Sequence, residues 1–320
     1  MELMQAARRA MGKATRDAFG EALRDLGRTN PNIVVLDGDV NNSTRTEWFA
    51  KEFPDRFFNV GIAESNLVGI AGGLASCGKI PVVASFACFI MCNAFDQLRM
   101  SVAFPQLNVK ICGSHAGISI GEDGPSQMGI EDVALAMALP GFAVLVPADE
   151  AETREVVRAA LEHRGPVYIR TGRAPVPIVY DQGCEFRIGR ANRLRDGDDV
   201  TLIADGLMVA AALDAADQLA REGTQARVLD MASVRPLDED AIAAAVRETR
   251  GIVVAEEHVR WGGLGAAVAM AAAQRGACPM RFVALDGYAE SGKPAELLSK
   301  YGLTADHIAR AARELLATRA

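Results

Sequence analysis

The sequence has 320 residues, half of them apolar and 23% charged, which is typical of a globular protein with two domains of ordinary size. A net charge of −7 and a pI of about 5.3 argue against nucleic acid or an anionic membrane surface as a partner. Six cysteines make no disulfide framework in a chain of this length, and no apolar run is long enough to span a bilayer. The amino-terminal residues lack the apolar core of a signal peptide, so we expect a cytoplasmic protein.

Apolar residues recur at helical spacing near the start of the chain and predict an amphipathic helix over residues 5–28. Apolar strand runs and helical segments then alternate as far as residue 170. The predicted strands are 33–36, 57–62, 81–86, 109–112, 142–146 and 167–170. The predicted helices between them are 44–51, 65–77, 89–103, 131–138 and 149–163. This alternation predicts a parallel sheet covered by helices on both faces.

A second alternating unit follows residues 174–190, whose two prolines and mixed polarity are typical of a linker. Its predicted strands are 200–204, 226–230, 251–255 and 280–285, and its predicted helices are 207–222, 238–249, 263–275 and two at the end of the chain. The predicted fold class is therefore α/β, with two doubly wound domains at residues 1–180 and, smaller, at residues 181–320.

Polar and aromatic residues follow the predicted strands of the first unit. Because the carboxyl ends of parallel strands meet at one edge of a sheet, we expect these residues to line one pocket. They are Asp39, Glu64, Phe86, Phe89 and His115. A structural interpretation competes for most of them: a first-turn helix acid for Glu64, an Asx turn for Asp39, and core packing for the two phenylalanines.

Metal binding and nucleophilic catalysis fit the sequence poorly. Cys88 and Cys92 would share a helix face, but no further zinc ligands lie near them, and buried thiols are the expected alternative. The four histidines are dispersed, and there is no Gly-x-Ser-x-Gly elbow. We therefore predict no metal ligands in this chain.

Four motifs occur in a characteristic order. They are Gly-Ile-Ala-Glu64, Ser-Phe86-Ala-Cys-Phe89, Ser-His115-Ala-Gly-Ile-Ser-Ile-Gly-Glu-Asp123-Gly-Pro and Arg170-Thr-Gly-Arg173. This order resembles the carboxyl-terminal half of transketolase, and the later stretches EEHVRWGGLG and DGYAESGKPAELLSKYGL resemble the third domain of that family. The resemblance covers nearly the whole chain. It implies a pyrimidine-binding thiamine diphosphate domain at residues 1–180 and a transketolase C-terminal domain at residues 181–320.

The resemblance implies thiamine diphosphate as cofactor. Glu64 matches the family carboxylate that shares a proton with N1′ of the aminopyrimidine and so favours the tautomer that activates the coenzyme. Phe86 and Phe89 match family aromatics, at least one of which stacks on that ring. Asp39 matches an acidic residue near the substrate and coenzyme.

Five further matches concern the sugar phosphate. His115 and Asp123 match contacts to the donor sugar, where a histidine can move the hydroxyl protons that carbon–carbon cleavage requires. Arg16, Ser43 and Arg173 match contacts to the phosphate, a group that arginine binds bidentately. For Arg16, an exposed helix charge is the competing interpretation.

Two positions depart from the family pattern. Gln127 stands where the family usually has a histidine, and glutamine cannot titrate near neutral pH. Cys92 stands where an aromatic residue is expected. Both changes bear on the substrate, so a related ketol transfer from another sugar phosphate stays open.

The family motif for magnesium and diphosphate, Gly-Asp-Gly followed at a distance by an asparagine pair, is absent. Residues 37–42, DGDVNN, have similar residue types at far too short a spacing. We therefore expect a separate amino-terminal transketolase subunit to hold most of the Mg²⁺ and diphosphate, in a heterotetramer with active sites between chains. Gly69, Gly72 and Gly73 would allow close helix packing at that interface, and close packing within one sheet layer is the alternative. We also expect self-association across the pyrimidine-binding domain.

Three other functions stay open. The beta subunit of a pyruvate-dehydrogenase-type 2-oxo acid dehydrogenase is also part of a split thiamine enzyme. Deoxyxylulose-5-phosphate synthase shares the carboxyl-terminal pattern but is normally one long chain. A non-catalytic partner that stabilises another thiamine enzyme would not require Glu64. The spacing from His115 to GEDGP and the three phosphate matches favour transketolase, which moves a two-carbon ketol unit between sugar phosphates.

Overall fold

The computed structural model describes residues 9–317, in which two α/β units pack against each other. The strands of the first unit are β1 (Met11–Ala14), β2 (Ile33–Asp37), β3 (Phe57–Asn59), β4 (Ile80–Phe86), β5 (Lys110–Ser114), β6 (Ala143–Leu145), β7 (Val167–Arg170) and β8 (Pro175–Pro177). Its helices are α1 (Thr15–Thr29), α2 (Asn41–Thr44), α3 (Glu47–Glu52), α4 (Glu64–Ser76), α5 (Ala87–Asn93), α6 (Phe95–Gln97), α7 (Asp132–Met137) and α8 (Glu150–Glu162). Short 3-10 turns occupy Pro54–Arg56 and Ile118–Ile120.

The second unit continues the alternation. Its strands are β9 (Asn192–Arg195), β10 (Val200–Ala204), β11 (Ala226–Asp230), β12 (Ser233–Arg235), β13 (Ile252–Val259) and β14 (Met280–Leu285). Its helices are α9 (Met208–Arg221), α10 (Glu239–Glu248), α11 (Leu264–Ala273), α12 (Pro294–Lys300) and α13 (Ala305–Ala317). No helix within residues 9–317 is long and apolar enough to cross a membrane.

The main sheet of the first unit has seven strands in the order β12-β6-β7-β5-β4-β2-β3. The strands from β2 to β7 are parallel, as predicted, and β2, β5 and β7 are buried along their whole length because helices cover both faces. The α/β fold class is therefore confirmed. The carboxyl ends of β2, β3, β4, β5 and β7 lie at one edge of this sheet.

The edge strand β12 comes from the second half of the chain and pairs antiparallel with β6. The second sheet has the order β14-β13-β10-β11-β9, and its edge strand β9 is also antiparallel. The prediction of wholly parallel sheets is wrong at these two edges. The largest apolar cluster contains residues of both units, including Val146 and Met231, so the two sheets share one core.

The predicted helix at residues 5–28 is wrong at its start. Residues 1–8 lie outside the described part of the chain, and Met11–Ala14 forms β1, which pairs antiparallel with β8 inside the predicted linker. The helix begins at Thr15, whose Oγ1 accepts a hydrogen bond from the Gly172 amide at 2.8 Å. A distant strand therefore overrides a helical apolar pattern.

Two further elements differ from prediction. The strand predicted at 57–62 ends at Asn59, because Gly61, with φ of 79°, turns the chain towards α4. The helix predicted at 89–103 is divided into α5, α6 and a π-helical turn at Leu98–Ala103. The predicted junction of strand and helix at Glu64 is confirmed, since Glu64 is the first residue of α4.

Candidate functional site

The Glu64 carboxylate lies between the carboxyl ends of β2 and β4. Its side chain is 6% exposed, and the Ser85 hydroxyl at the end of β4 donates to Oε1 at 3.2 Å. A Cβ placed on Gly38 would stand 3.7 Å from the same Oε1, so the backbone after β2 runs close beside the carboxylate. Within residues 9–317, Ser85 is the one hydrogen-bond partner of this side chain, which leaves acceptor capacity for a ligand.

Three flat side chains are stacked next to one another at the ends of β4 and β5. The rings of Phe86 and Phe89 have centroids 5.5 Å apart and planes 7° apart. The ring of His115 lies 4.0 Å from that of Phe86, with planes 12° apart. Both phenylalanines are only half-buried, so they are not simple core residues. The stack offers an aromatic surface to a planar ligand.

His115 is held in one protonation state. Arg16 Nη1 lies 3.0 Å from His115 Nε2, and since a guanidinium can only donate, Nε2 is the acceptor. Nδ1 then carries the proton and donates to Ser114 Oγ at 2.9 Å. Burial lowers the pKa of His115 to about 3, and the charges of Arg16, Arg173 and Arg45 act in the same direction. The imidazole is therefore neutral near pH 7.

Three arginines give this edge a positive charge. Arg16 Nη1 donates to the Ser43 carbonyl at 3.2 Å, and Arg173 donates to Asp123 Oδ1 at 2.8 Å. Burial lowers the pKa of Arg16, and the neighbouring Arg45 and Arg173 also lower it. Asp17, which pairs with Arg45 at 2.6 Å, and Asp123 act in the opposite direction. Three arginines therefore face two carboxylates here, and the remaining positive charge favours an anionic ligand.

The structure does not bring every predicted residue into contact with the others. Asp39 is exposed, and its Oδ1 accepts from Asn59 Nδ2 at 2.7 Å at the ends of β2 and β3. Ser43 reaches Arg16 through its carbonyl. The buried acid of the DGD loop is Asp37, which accepts from the Val40 amide and two threonine hydroxyls at 2.7 Å each. Asp37 therefore stabilises the loop.

Backbone strain is concentrated at this edge. Four non-glycine residues of the described chain have positive φ, and three of them belong here: Asp39 at 66°, Arg45 at 67° and His115 at 60°. Such conformations are costly for L-residues and persist where the surrounding structure enforces them, often at functional sites.

The two positions that depart from the family pattern lie on neighbouring segments. Gln127 Oε1 accepts from Ser126 Oγ at 2.6 Å, and the Gln127 carbonyl accepts from Cys88 Sγ at 3.3 Å. Cys92 is exposed and Cys88 only partly buried, so the expectation of buried thiols is wrong for Cys92. No group of three potential ligand side chains that could hold a metal ion occurs within residues 9–317.

Sequence reasoning missed the side chains that orient the predicted ones. Ser85 and Ser114 bond to Glu64 and His115, and Arg45 adds charge beside Arg16. The sequence signal for both serines was a polar residue at the end of a buried strand, directly before a predicted site residue.

Three large apolar side chains are exposed on β3, on the segment before α4 and on α4. Phe58 is 42% exposed, Ile62 84% and Ile70 38%. Beside them on α4, a Cβ on Gly69 or Gly73 would meet nothing within 4 Å. The third predicted interface glycine, Gly72, instead packs against Ser101 of its own chain, where a Cβ would lie 2.6 Å from the carbonyl oxygen.

Comparison with known proteins gives matches over most of the chain. Residues 11–178 match the family model of the transketolase pyrimidine binding domain, and residues 189–308 match that of the transketolase C-terminal domain. The chain is 43% identical over 302 residues to a putative transketolase C-terminal section of Methanocaldococcus jannaschii, covering 93% of this chain and 95% of that protein.

Longer and structurally characterised relatives agree with these matches. The chain is 42% identical over 307 residues to Homo sapiens transketolase, covering 95% of this chain but 49% of that protein, about half its length. A solved split gene transketolase, described as an inactive beta4 tetramer, is 48% identical, with a TM-score of 0.90 over 96% of this chain and 99% of its own. The chain therefore belongs to the transketolase family.

Proposed function

We propose that this chain is the carboxyl-terminal subunit of a thiamine diphosphate-dependent transketolase, active only with a separate amino-terminal subunit. The observation that carries the proposal is the Glu64 carboxylate, nearly buried beside an aromatic stack, in a chain that matches the pyrimidine-binding and C-terminal domains. Relatives that this chain covers over nearly their whole length are described as a transketolase C-terminal section and a split gene transketolase, which supports assigning the other half of the site to another polypeptide.

The residues present fit the aminopyrimidine half of the cofactor. When bound, thiamine diphosphate supplies the carbanion chemistry that breaks and forms the bond next to a ketose carbonyl. Glu64 has an acceptor oxygen free to share a proton at N1′ of the pyrimidine, and its low exposure strengthens that hydrogen bond. Phe86 and Phe89 provide the flat surface that would orient the ring.

His115 Nε2 now accepts from Arg16, and a phosphate that drew the Arg16 guanidinium away would free this nitrogen to accept a hydrogen bond from a sugar hydroxyl. An anionic phosphate among Arg16, Arg45 and Arg173 would offset the three charges that lower the pKa of His115. Phosphate binding would therefore remove the part of the pKa lowering that comes from these charges, while burial, the larger cause, would remain. Asp123, which now pairs with Arg173, would compete with the phosphate or turn to the sugar.

The proposed assembly accounts for the exposed apolar side chains on β3, before α4 and on α4. Phe58, Ile62 and Ile70 would be covered by the amino-terminal subunit, which would bring Mg²⁺ and the diphosphate site with it. The isolated chain would associate with itself and remain inactive, like the related split gene transketolase that is described as an inactive beta4 tetramer. We assign the assembly to the cytosol, since all six cysteines are free thiols. We assign it to exchange between pentose phosphates on the family match alone.

The test is a two-chain activity assay. The chain is mixed with a purified subunit carrying the Gly-Asp-Gly motif, thiamine diphosphate and Mg²⁺, and ketol transfer from xylulose 5-phosphate to ribose 5-phosphate is measured beside 2-oxo acid decarboxylation. Ketol transfer without decarboxylation is expected. Decarboxylation without ketol transfer would overturn the proposal in favour of a 2-oxo acid dehydrogenase subunit.

A further inference from the structure

The loop that carries His115 and Asp123 is tied to the second unit by a buried carboxylate. Glu257 in β13 is 4% exposed. Its Oε1 accepts from the Ser119 amide at 2.6 Å, and its Oε2 accepts from the Ser119 hydroxyl at 3.2 Å. These two hydrogen bonds join residues 138 positions apart in the sequence, one in each unit.

The approach of Glu257 to the loop is close enough to require a glycine. A Cβ placed on Gly117 would stand 2.2 Å from Glu257 Cδ, and Gly117 also has a φ of 81°. The Gly117 amide donates to the Gly129 carbonyl at 2.7 Å, which closes the base of the loop. The carboxylate therefore fills the position that a side chain on Gly117 would occupy.

A second set of hydrogen bonds fixes the same end of the loop, where Gly117 meets Gly129. Arg170 Nη2 donates to the Gly129 carbonyl at 3.0 Å and to the Glu257 carbonyl at 2.9 Å. Its Nε donates to Asp132 at 2.9 Å. Arg170 thus connects β7, the end of the loop and β13, and its positive charge helps to offset the burial of the Glu257 carboxylate.

We propose that Glu257 is a positioning residue for sugar-phosphate binding. It fixes Ser119, and through Ser119 it keeps His115 and Asp123 at their positions relative to Arg173. Arg173 donates to the Ile120 carbonyl at 3.3 Å as well as to Asp123, so a displaced Ser119 would disturb both contacts. The C-terminal domain would then contribute to substrate affinity without touching the substrate. The proposal deepens the proposed function and rests on it.

The kinetic test uses the assembled two-chain enzyme. Glu257→Ala removes both acceptors, whereas Glu257→Gln keeps an amide oxygen for the Ser119 amide. Glu256→Gln is the matched control, because the adjacent buried Glu256 accepts from the Leu264 and Gly265 amides at the start of α11. We expect Glu257→Ala to raise KM for the sugar phosphates about tenfold or more, with a smaller change in kcat. Glu257→Gln should restore most of the affinity, and the control should keep the wild-type KM.

If Glu257 only stabilised the fold, Glu257→Ala would reduce the fraction of folded enzyme, which would lower the apparent kcat and leave KM unchanged. That result would overturn the proposal. Gly117→Ala perturbs the same contact from the loop side and should raise KM in the same way, so the proposal stays testable if Glu257→Ala folds poorly.

Amide hydrogen exchange of residues 116–124 tests the loop tie without any activity measurement. Exchange should be faster in Glu257→Ala than in the wild type and unchanged in Glu256→Gln. Equal exchange in Glu257→Ala and the wild type would refute the tie. Absence of ketol transfer in the wild-type assembly would instead overturn the proposed function, and with it the role of Glu257 in sugar affinity.

Discussion

The buried neutral state of His115 predicts a measurable dependence of stability on pH. The pKa of this histidine is about 3 in the folded chain, against 6.5 for an ordinary histidine. Between these values the unfolded chain binds a proton that the folded chain does not, so the free energy of unfolding falls as the pH is lowered from 6.5 towards 3. From pH 7 to pH 5 the loss from this one group is about 2 kcal/mol.

The assay is urea unfolding at pH 7, 6 and 5, at a fixed protein concentration because the chain is expected to self-associate. His115→Gln keeps an acceptor for Arg16 but removes the titration, so its stability should fall by about 2 kcal/mol less than that of the wild type over this range. His307→Gln, in α13, is the control and should retain the wild-type pH dependence. Equal pH dependence in the wild type and His115→Gln would refute the neutral assignment.

Three further substitutions separate catalysis, binding and folding. Glu64→Gln should lower kcat of the two-chain enzyme by roughly 100-fold or more while circular dichroism and thermal midpoint stay unchanged; full activity would remove Glu64 from the mechanism. Arg173→Ala should raise KM for the sugar phosphates about tenfold, whereas Arg99→Ala, at an exposed position, should not; equal KM values would argue against a phosphate contact. Asp132→Ala leaves the buried Arg170 charge without its carboxylate partner and should lower the free energy of unfolding in urea by about 3–5 kcal/mol. A loss below about 1 kcal/mol would contradict a stabilising role for this ion pair.

The sequence predicted the alternating elements well, because buried parallel strands are continuous apolar runs that need no tertiary information. It could not predict β1, β8, β9 or β12, since these short edge strands form only when distant segments meet. Met11–Ala14 shows the limit clearly: its apolar residues fit a helical period, and pairing with β8 makes it a strand.

For the candidate site, the sequence predicted where its main residues lie but not the contacts that orient them. Glu64 and His115 could be placed at strand ends from the pattern alone, and the structure locates both there. The contacts that orient these side chains could not be predicted, because Ser85 and Glu64 are 21 residues apart in the sequence and Ser119 and Glu257 are 138 apart. Long-range side-chain contacts leave no periodic trace in a single sequence.

Calorimetric titration with thiamine diphosphate in the presence of Mg²⁺ addresses the division of the active site between two polypeptides most directly. The isolated chain, the Gly-Asp-Gly subunit and their mixture are titrated separately, and each is assayed for ketol transfer. We predict tight binding and turnover only in the mixture. Tight, metal-dependent binding and unaided turnover by the isolated chain would contradict the account.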